Sequence, residues 1–241
     1  DYRGIVAYIN ATASPEDAIL INAPSQIETV DYYYHGPLAQ YPLPLERPMD
    51  VARTEAALQA IVAQHARVYA ILWATGDSDP ERFVEGWLDQ HCFKALDSWF
   101  GNVRLAVYAV PQSPSPEIQH PLDLMLGTDI HLKGYSLLTP EPRSGDIVQL
   151  TLYWEAVQAV KERYKVFTHL VDGRDNIVGQ RDSEPAGGSR LTSDWAAGDV
   201  IVDNYGLQIP PGTPPGGHIL RIGMYSLTDG RRLPVSQAGQ S

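Results

Sequence analysis

The hydrophobic pattern of this 241-residue chain changes its period across one proline-rich segment. Before it, apolar stripes with helical spacing alternate with short, continuous apolar runs. After it, apolar and polar residues alternate one by one. The segment itself, PQSPSPEIQHP, carries four prolines, which favour an extended spacer because proline removes amide donors and restricts the preceding residue. We predict a first domain, a linker and a second domain at 1–111, 112–121 and 122–241.

The first part of the chain predicts an α/β domain. Strands are expected at 17–23, 67–75 and 102–110, and an opening helix is expected to stop near Ser14. Further helices are expected after Asp50 and after the capping signals of SDPE. Because strands alternate with helices of this length, we expect a small parallel, Rossmann-like sheet with helices on its faces.

The second part predicts an antiparallel β-sandwich. In VQLTLYWEA, every second residue is apolar, which is typical of a strand with one dry and one wet face. Turn residues rich in Gly, Pro and Asp separate the runs. Strands are expected at roughly 130–138, 146–157, 164–172, 176–183, 200–209 and 217–226.

Composition excludes several classes of function. The chain carries 18 basic and 29 acidic residues, and a net charge of -11 argues against nucleic acid or an anionic membrane surface as a partner. The longest apolar run, VYAILWA, is far shorter than the ~18 residues of a membrane span. A single cysteine, Cys92, provides neither a disulfide framework nor a thiolate metal cluster. Since the sequence begins at Asp1 without a signal pattern, we expect it to be a piece of a longer protein.

Motifs for metals, cofactors and nucleophiles are not found in the sequence. Seven histidines are scattered singly, and no phosphate-binding loop or nucleophile elbow is present. VDGRDNIVGQRD resembles a calcium loop in composition, but it lacks the ligand spacing, and its Asp-Gly favours a hairpin turn. The sequence therefore predicts no catalytic residue, no metal and no cofactor.

The stretch VDYYYHGPLAQYPLP is the first candidate binding surface. Because helical residues rotate by ~100° each, three consecutive tyrosines span about 200° and cannot all face one sheet. We expect YPLP to hold Tyr41 in an extended loop with little freedom to lose on docking. The hypothesis is that Tyr33, Tyr34, His35 and Tyr41 contact a partner or ligand. Ordinary packing of these tyrosines remains the alternative.

Two further candidates carry competing interpretations. Asp77 and Asp79 follow a predicted strand, at the edge where open parallel sheets bind ligands, but capping of the next helix is the favoured interpretation. In the second domain, a sugar-stacking platform and core packing both remain open for four aromatic residues, although the alternation in VQLTLYWEA places Trp154 on the dry face and favours core packing for it. Trp195, in the turn-rich TSDWAAGD, is expected to be exposed. The four are Trp154, Tyr164, Trp195 and Tyr205.

The first domain resembles a known family. The similarity is carried by DYRGIVAYINA, DAILINAPSQIETVDYYYHG, YPLP, RVYAILWATGDSDPERFVEGWL and GNVRLAVYAVP. These resemble the extracytoplasmic region of bacterial polyprenol-phosphate-sugar glycosyltransferases of the protein-mannosyltransferase-like family 39 group. YKVFTHLVDGRDNIVGQRDSEPAGG and RIGMYSLTDGRRLPV resemble a sandwich module appended to such proteins. The family's catalytic acidic residue lies between early membrane helices, so the resemblance implies that this fragment is inactive alone.

The sequence and the resemblance leave three candidate functions for this chain. The leading expectation is a non-catalytic accessory region at the extracytoplasmic face of the cell membrane, which packs on the membrane-embedded part of the same polypeptide and helps shape the acceptor site. A glycan or a lipid-linked sugar is the expected further partner. The alternative is a stand-alone carbohydrate-binding protein whose sandwich binds glycans. An independent hydrolase or transferase comes third, because nucleophile and metal motifs are missing.

Overall fold

The computed structural model describes residues 1–22, 24–111 and 117–237. The chain divides into two compact units, residues 1–112 and 113–241. Of the expected linker, residues 112–116 lie outside the described part, and strand β6 already begins at His120.

The first unit is a mixed α/β domain. Its five-stranded sheet has the order β2-β1-β3-β5-β4. Strands β2, β1 and β3 are parallel, whereas β5 is antiparallel to both β3 and β4. The helices are α1 (Tyr2–Thr12), α2 (Ile27–Tyr33), α3 (Val51–Gln64), α4 (Thr75–Ser78) and α5 (Phe83–His91). The strands are β1 (Ala18–Asn22), β2 (Ala39–Leu43), β3 (Arg67–Leu72), β4 (Phe93–Phe100) and β5 (Val103–Ala109).

The expectation of a parallel sheet is confirmed only for β2, β1 and β3, because the sequence pattern misses two strands and β5 runs antiparallel. Strand β4 follows α5 directly, without an intervening turn, and its pairing shifts register between Lys94 and Leu96, which interrupts the alternation. Strand β2 contains Pro42, and proline is accepted there because β2 is an edge strand. A tight turn at Gly101, with a φ of 63°, joins β4 to β5 as a hairpin.

The core of the first unit lies on both faces of the sheet. On one face, alternate residues of β1 and β3, such as Leu20 and Ala70, pack with Leu58 of α3 and Leu88 of α5. On the other face, α1 lies against Tyr69, whose ring meets that of Tyr8 edge-on at 6.5 Å. The β1-α2-β2 and β2-α3-β3 connections are crossovers between parallel strands, for which the right-handed path is the rule.

The second unit is built from two antiparallel sheets. One has the order β11-β8-β7-β6-β13 and the other β10-β9-β12. All six strands expected from the sequence are confirmed within two residues at each end. Strands β6 and β13 were not expected. The strands are β6 (His120–Leu126), β7 (Ile130–Leu137), β8 (Ile147–Ala156), β9 (Tyr164–Val171), β10 (Ile177–Ser183), β11 (Val200–Gln208), β12 (Ile219–Ser226) and β13 (Val235–Gln237).

Large aromatic side chains fill the core between these sheets. Trp154 and Tyr205 are fully buried, which confirms the dry face expected for Trp154. The expected exposure of Trp195 is wrong: its side chain is 2% exposed. A single 3-10 turn at Thr192–Asp194 brings the indole inward, where its Nε1 donates to the carbonyl of Arg190 at 3.0 Å. In the described parts of both units, no helix is long and apolar enough to cross a membrane.

Candidate functional site

The tyrosine triplet points in three directions, as helical rotation requires. Tyr32 is 74% exposed, Tyr33 is half-buried and Tyr34 is buried. The Tyr34 hydroxyl accepts a hydrogen bond from the backbone N–H of Leu38 at 3.1 Å. The outward ring is therefore that of Tyr32, and the burial of Tyr34 contradicts its proposed role as a contact residue.

The remaining members of that surface are not gathered into one loop. Tyr41 lies in edge strand β2 rather than in an extended loop, and it is half-buried. Its hydroxyl is 2.8 Å from Nε2 of His65. His35 is exposed just beyond α2. Contact roles for Tyr33, His35 and Tyr41 remain predictions.

Asp79 caps helix α5, which confirms the capping interpretation for this residue. Its carboxylate accepts from the backbone N–H of Phe83 at 2.7 Å and of Val84 at 3.0 Å. Asn22, at the end of β1, donates to the same carboxylate at 3.3 Å. The cap therefore fills the helix N-terminus that a bound anion would use. Asp77 is exposed in α4.

A buried ion cluster joins α5 to the β4–β5 hairpin. Nζ of Lys94 lies 2.6 Å from Asp89 and 3.0 Å from Glu85, and Glu85 also binds Arg104. Burial favours the neutral form of Glu85, yet Lys94 and the neighbouring arginines lower its pKa to about 2. Burial raises the pKa of Asp89 against the opposing charge of Lys94. Since every charge has a partner, the cluster is suited to holding elements together.

The proposed calcium-like segment is a hairpin turn. Strands β9 and β10 pair across it, and the Asp172 carboxylate accepts from the backbone N–H groups of Arg174 and Asn176 at 2.8 and 2.9 Å. These bonds lower the pKa of Asp172, the side-chain amide of Asn176 contributing most. Across the described residues, no group of three or more His, Cys, Asp or Glu side chains is placed to hold a metal.

Asp203 forms the polar centre of the sandwich core. Its Oδ2 accepts from Nε1 of Trp154 at 3.1 Å and from the hydroxyl of Tyr205 at 2.7 Å. Its Oδ1 accepts from the N–H of Ala186 at 2.8 Å. Burial raises the pKa of Asp203 to about 6, although these bonds favour the carboxylate. Three donors bind this carboxyl group, so it anchors the 3-10 segment Pro185–Gly188 to the core.

An open cleft with a volume of about 650 Å³ lies at one end of the sandwich. Both sheets contribute aliphatic side chains to its floor. Several of these belong to the unit's hydrophobic core, so the cleft is the place where that core opens to the surface. The floor residues are Leu137, Val148, Leu170, Ile209 and Leu220.

Two proline-rich loops, residues 139–144 and 210–218, form the rim of the cleft. Ser144 ties them together: its hydroxyl donates to the carbonyl of Pro210 at 3.2 Å and accepts from the N–H of Gly212 at 2.6 Å. The backbones also meet, since Gly145 donates to Ile209 at 3.1 Å. Proline restricts φ in both loops, and these bonds join the loops near Ser144, so this part of the rim is preformed and loses little entropy on binding.

The hydroxyls of Thr139, Ser144 and Thr213 on the rim donate to backbone carbonyls, which leaves three further polar side chains there. Glu141 and Arg143 are exposed, and the Nδ1 of half-buried His218 is 3.0 Å from the carbonyl of Gly216. An aliphatic floor with a few polar groups at its mouth is the usual composition of a small-molecule site. The geometry suits a ligand with an apolar portion inside and a polar portion outside.

Sequence reasoning missed this cleft. Its signal was present in the paired prolines Pro140/Pro142 and Pro214/Pro215, each of which follows or precedes a predicted strand. The order of the strands decides which loops meet at one end of a sandwich. The alternation of apolar and polar residues within a single strand does not predict that order.

No family model and no curated protein matches the chain. Among solved structures, the chain is similar to a calcium-binding mutant of β-glucuronidase 2 from Bacteroides uniformis. The match has 9% sequence identity and a TM-score of 0.30, and it covers 57% of this chain and 15% of that chain.

Proposed function

We propose that this chain is a non-catalytic accessory region of a membrane glycosyltransferase, on the extracytoplasmic face of the cell membrane. In this proposal the second unit binds a ligand that has an apolar portion. The observation that carries it is the preformed cleft at the end of the sandwich, with its aliphatic floor and proline-rich rim. The membrane-embedded part of the same polypeptide is the proposed partner. A lipid-linked sugar suits the floor better than a bare glycan.

The first unit has the role of a scaffold in this proposal. Its consecutive β-α-β crossovers over β1, β2 and β3 support a Rossmann-like relationship. Its buried charges support the same role, because Asp79 caps a helix and Lys94 is paired with two carboxylates.

The alternative, a glycan-binding sandwich that acts alone, has less support. Stacking on sugars needs exposed aromatic faces, and the candidates Trp154, Trp195 and Tyr205 are buried. Tyr164 is half-buried.

The cleft can be tested by nuclear magnetic resonance with two probes that differ only in alkyl length. Octyl glucoside, kept below its micelle concentration, should shift the backbone signals of the cleft residues with saturation. Methyl glucoside should bind there at least about tenfold more weakly, because each buried methylene contributes ~0.8 kcal/mol.

Gly216 lines the cleft, and a Cβ at this position meets no atom within 4 Å, so we expect the indole of Gly216→Trp to occupy the cleft. It should abolish the shifts caused by octyl glucoside. Gly173→Trp is the matched control in the β9–β10 turn, where a Cβ is equally free. Equal binding of both probes, or unchanged binding to Gly216→Trp, would contradict the proposed site.

A further inference from the structure

Trp99 is a large aromatic residue left open to solvent in the first unit. It lies on β4, an edge strand of the sheet, and 68% of its surface is exposed. The other four tryptophans of the chain are buried or half-buried. Single exposed aromatic side chains are common on protein surfaces, so a binding role for Trp99 depends on what lies beside its ring.

A recess lies beside Trp99. It has a volume of about 70 Å³, and a second indole, that of half-buried Trp73, lines it together with Thr75, Asn102 and Arg104. Trp73 and Thr75 directly follow β3, so the recess lies at the carboxyl edge of the parallel strands. Open α/β sheets usually bind their ligands at this edge.

Arg104 holds the Trp99 indole in place. The two residues are cross-strand partners, and the guanidinium lies 6.0 Å from the centre of the indole ring. The carboxylate of Asp97 lies 3.1 Å from the guanidinium. Glu85, on α5, also binds it. The charge of Arg104 is therefore neutralised, and the flat face of Trp99 is orientated before any ligand arrives.

Polar groups remain available around the two indoles. Within residues 1–22 and 24–111, no protein group hydrogen-bonds the side chains of Thr75 or Asn102. Together they offer a hydroxyl and an amide, which can both donate and accept. A flat apolar surface bordered by such groups matches a ring that is apolar on its face and hydroxylated at its edge.

The charges around the recess favour a neutral ring over a charged one. Among the described residues that line the recess, Arg104 is the only cation. Its guanidinium is already paired with two carboxylates, so the site has no free positive charge for a phosphate. The chain's net charge of -11 also repels anions. These conditions favour a neutral ligand over a nucleotide or an acidic sugar.

We propose that Trp99, with Trp73, Thr75 and Asn102, binds one neutral pyranose ring of a glycan at the carboxyl edge of the first unit's sheet. The ring stacks on the exposed face of Trp99. One hydroxylated edge enters the recess, which is large enough for that edge and too small for a whole ring. The site is independent of the cleft in the second unit.

Isothermal titration of the 241-residue chain with soluble hexasaccharides of glucose, mannose and N-acetylglucosamine tests the proposal. At least one should bind with a Kd of about 1 mM or tighter, which titration to about 10 mM would saturate. Trp99→Ala should weaken that binding at least about fivefold, the lower end of the effect that loss of one stacking aromatic ring has on nucleobase binding. Asn102→Ala should weaken it by a smaller factor.

Tyr32→Ala is the matched control, because Tyr32 is an equally exposed aromatic residue that does not line the recess. It should bind sugar as the unaltered chain does. Trp99→Ala and Tyr32→Ala should both show the unaltered melting temperature, because both replaced rings are exposed. Gly216→Trp should leave this binding unchanged, which separates it from the cleft.

Three results would overturn the proposal. The first is the lack of saturable binding by any of the hexasaccharides. The second is sugar binding that Trp99→Ala leaves unaltered. The third is saturable binding of adenosine at Trp99 in place of sugars, which would show a general aromatic-stacking site.

Discussion

At the scale of single residues, Asp203 should make the stability of the second unit depend on pH. Its pKa is 3.8 in the unfolded chain and about 6 in the folded one, so the folded state holds the proton more tightly. Its contribution to the free energy of unfolding is therefore complete below pH 3.8 and is lost as the pH rises through about 6. The contribution lost amounts to about 3 kcal/mol.

Asp203→Asn should remove this loss, because an amide does not titrate. It should also lower the stability of the second unit across the whole pH range. The NH2 group of the amide would face an N–H donor at a position where the carboxylate oxygen accepts a hydrogen bond. Hydrogen exchange of β8 and β11 peptides between pH 4 and pH 7 measures both effects. The same pH slope in both proteins would show that another group titrates.

The residue scale also shows what sequence reasoning can and cannot reach. Helical rotation predicts correctly that one ring of the tyrosine triplet faces outward. It does not identify Tyr32, because the rotation angle is set by where α2 starts, at Ile27. For Trp195, the turn-rich sequence predicts a loop correctly, but a loop can still direct a side chain into the core, as this one does.

At the scale of elements, Lys94 fastens α5 to the sheet. Lys94→Met keeps the length of the side chain but leaves the buried Glu85 and Asp89 without their shared cation. We expect a loss of about 3–5 kcal/mol of unfolding free energy, as is typical for one partner removed from a buried ion pair.

Arg53→Met is the control, because Arg53 pairs with Glu46 at the surface. That change should lower stability by less than about 1 kcal/mol. Urea unfolding followed by hydrogen exchange of β5 peptides measures both variants. Equal losses would mean that the Lys94 cluster is solvated and does not fasten the helix.

The elements themselves were predictable where period and turn chemistry agreed. The alternation in the second unit predicts six of its strands, and the Asp50 cap predicts the start of α3. Strand β4 was missed because its charges, Lys94 and Asp97, look solvent-exposed in sequence, although the carboxylates of Glu85 and Asp89 on α5 let Lys94 be buried. Such long-range pairing is invisible in a local pattern.

At the scale of the whole molecule, the proline-rich sequence of residues 111–121 predicts that this segment is the first point of proteolytic cleavage. No Lys or Arg lies between Arg104 and Lys133, so trypsin cannot report on it. Glutamyl endopeptidase can cut after Glu117, and the fragments can be weighed by mass spectrometry. A first cut within residues 1–110 or 122–237 would contradict a joint at 111–121.

The central claim is that the chain serves a membrane glycosyltransferase without catalysing the reaction itself. The most direct measurement is the rate of sugar transfer from a polyprenol phosphate donor, compared between the natural full-length polypeptide and the isolated 241-residue chain. We predict transfer by the full-length protein, none by the isolated chain, and a reduced rate for full-length Gly216→Trp but not for Gly173→Trp. Transfer by the isolated chain, or an unaltered rate with Gly216→Trp, would contradict the account.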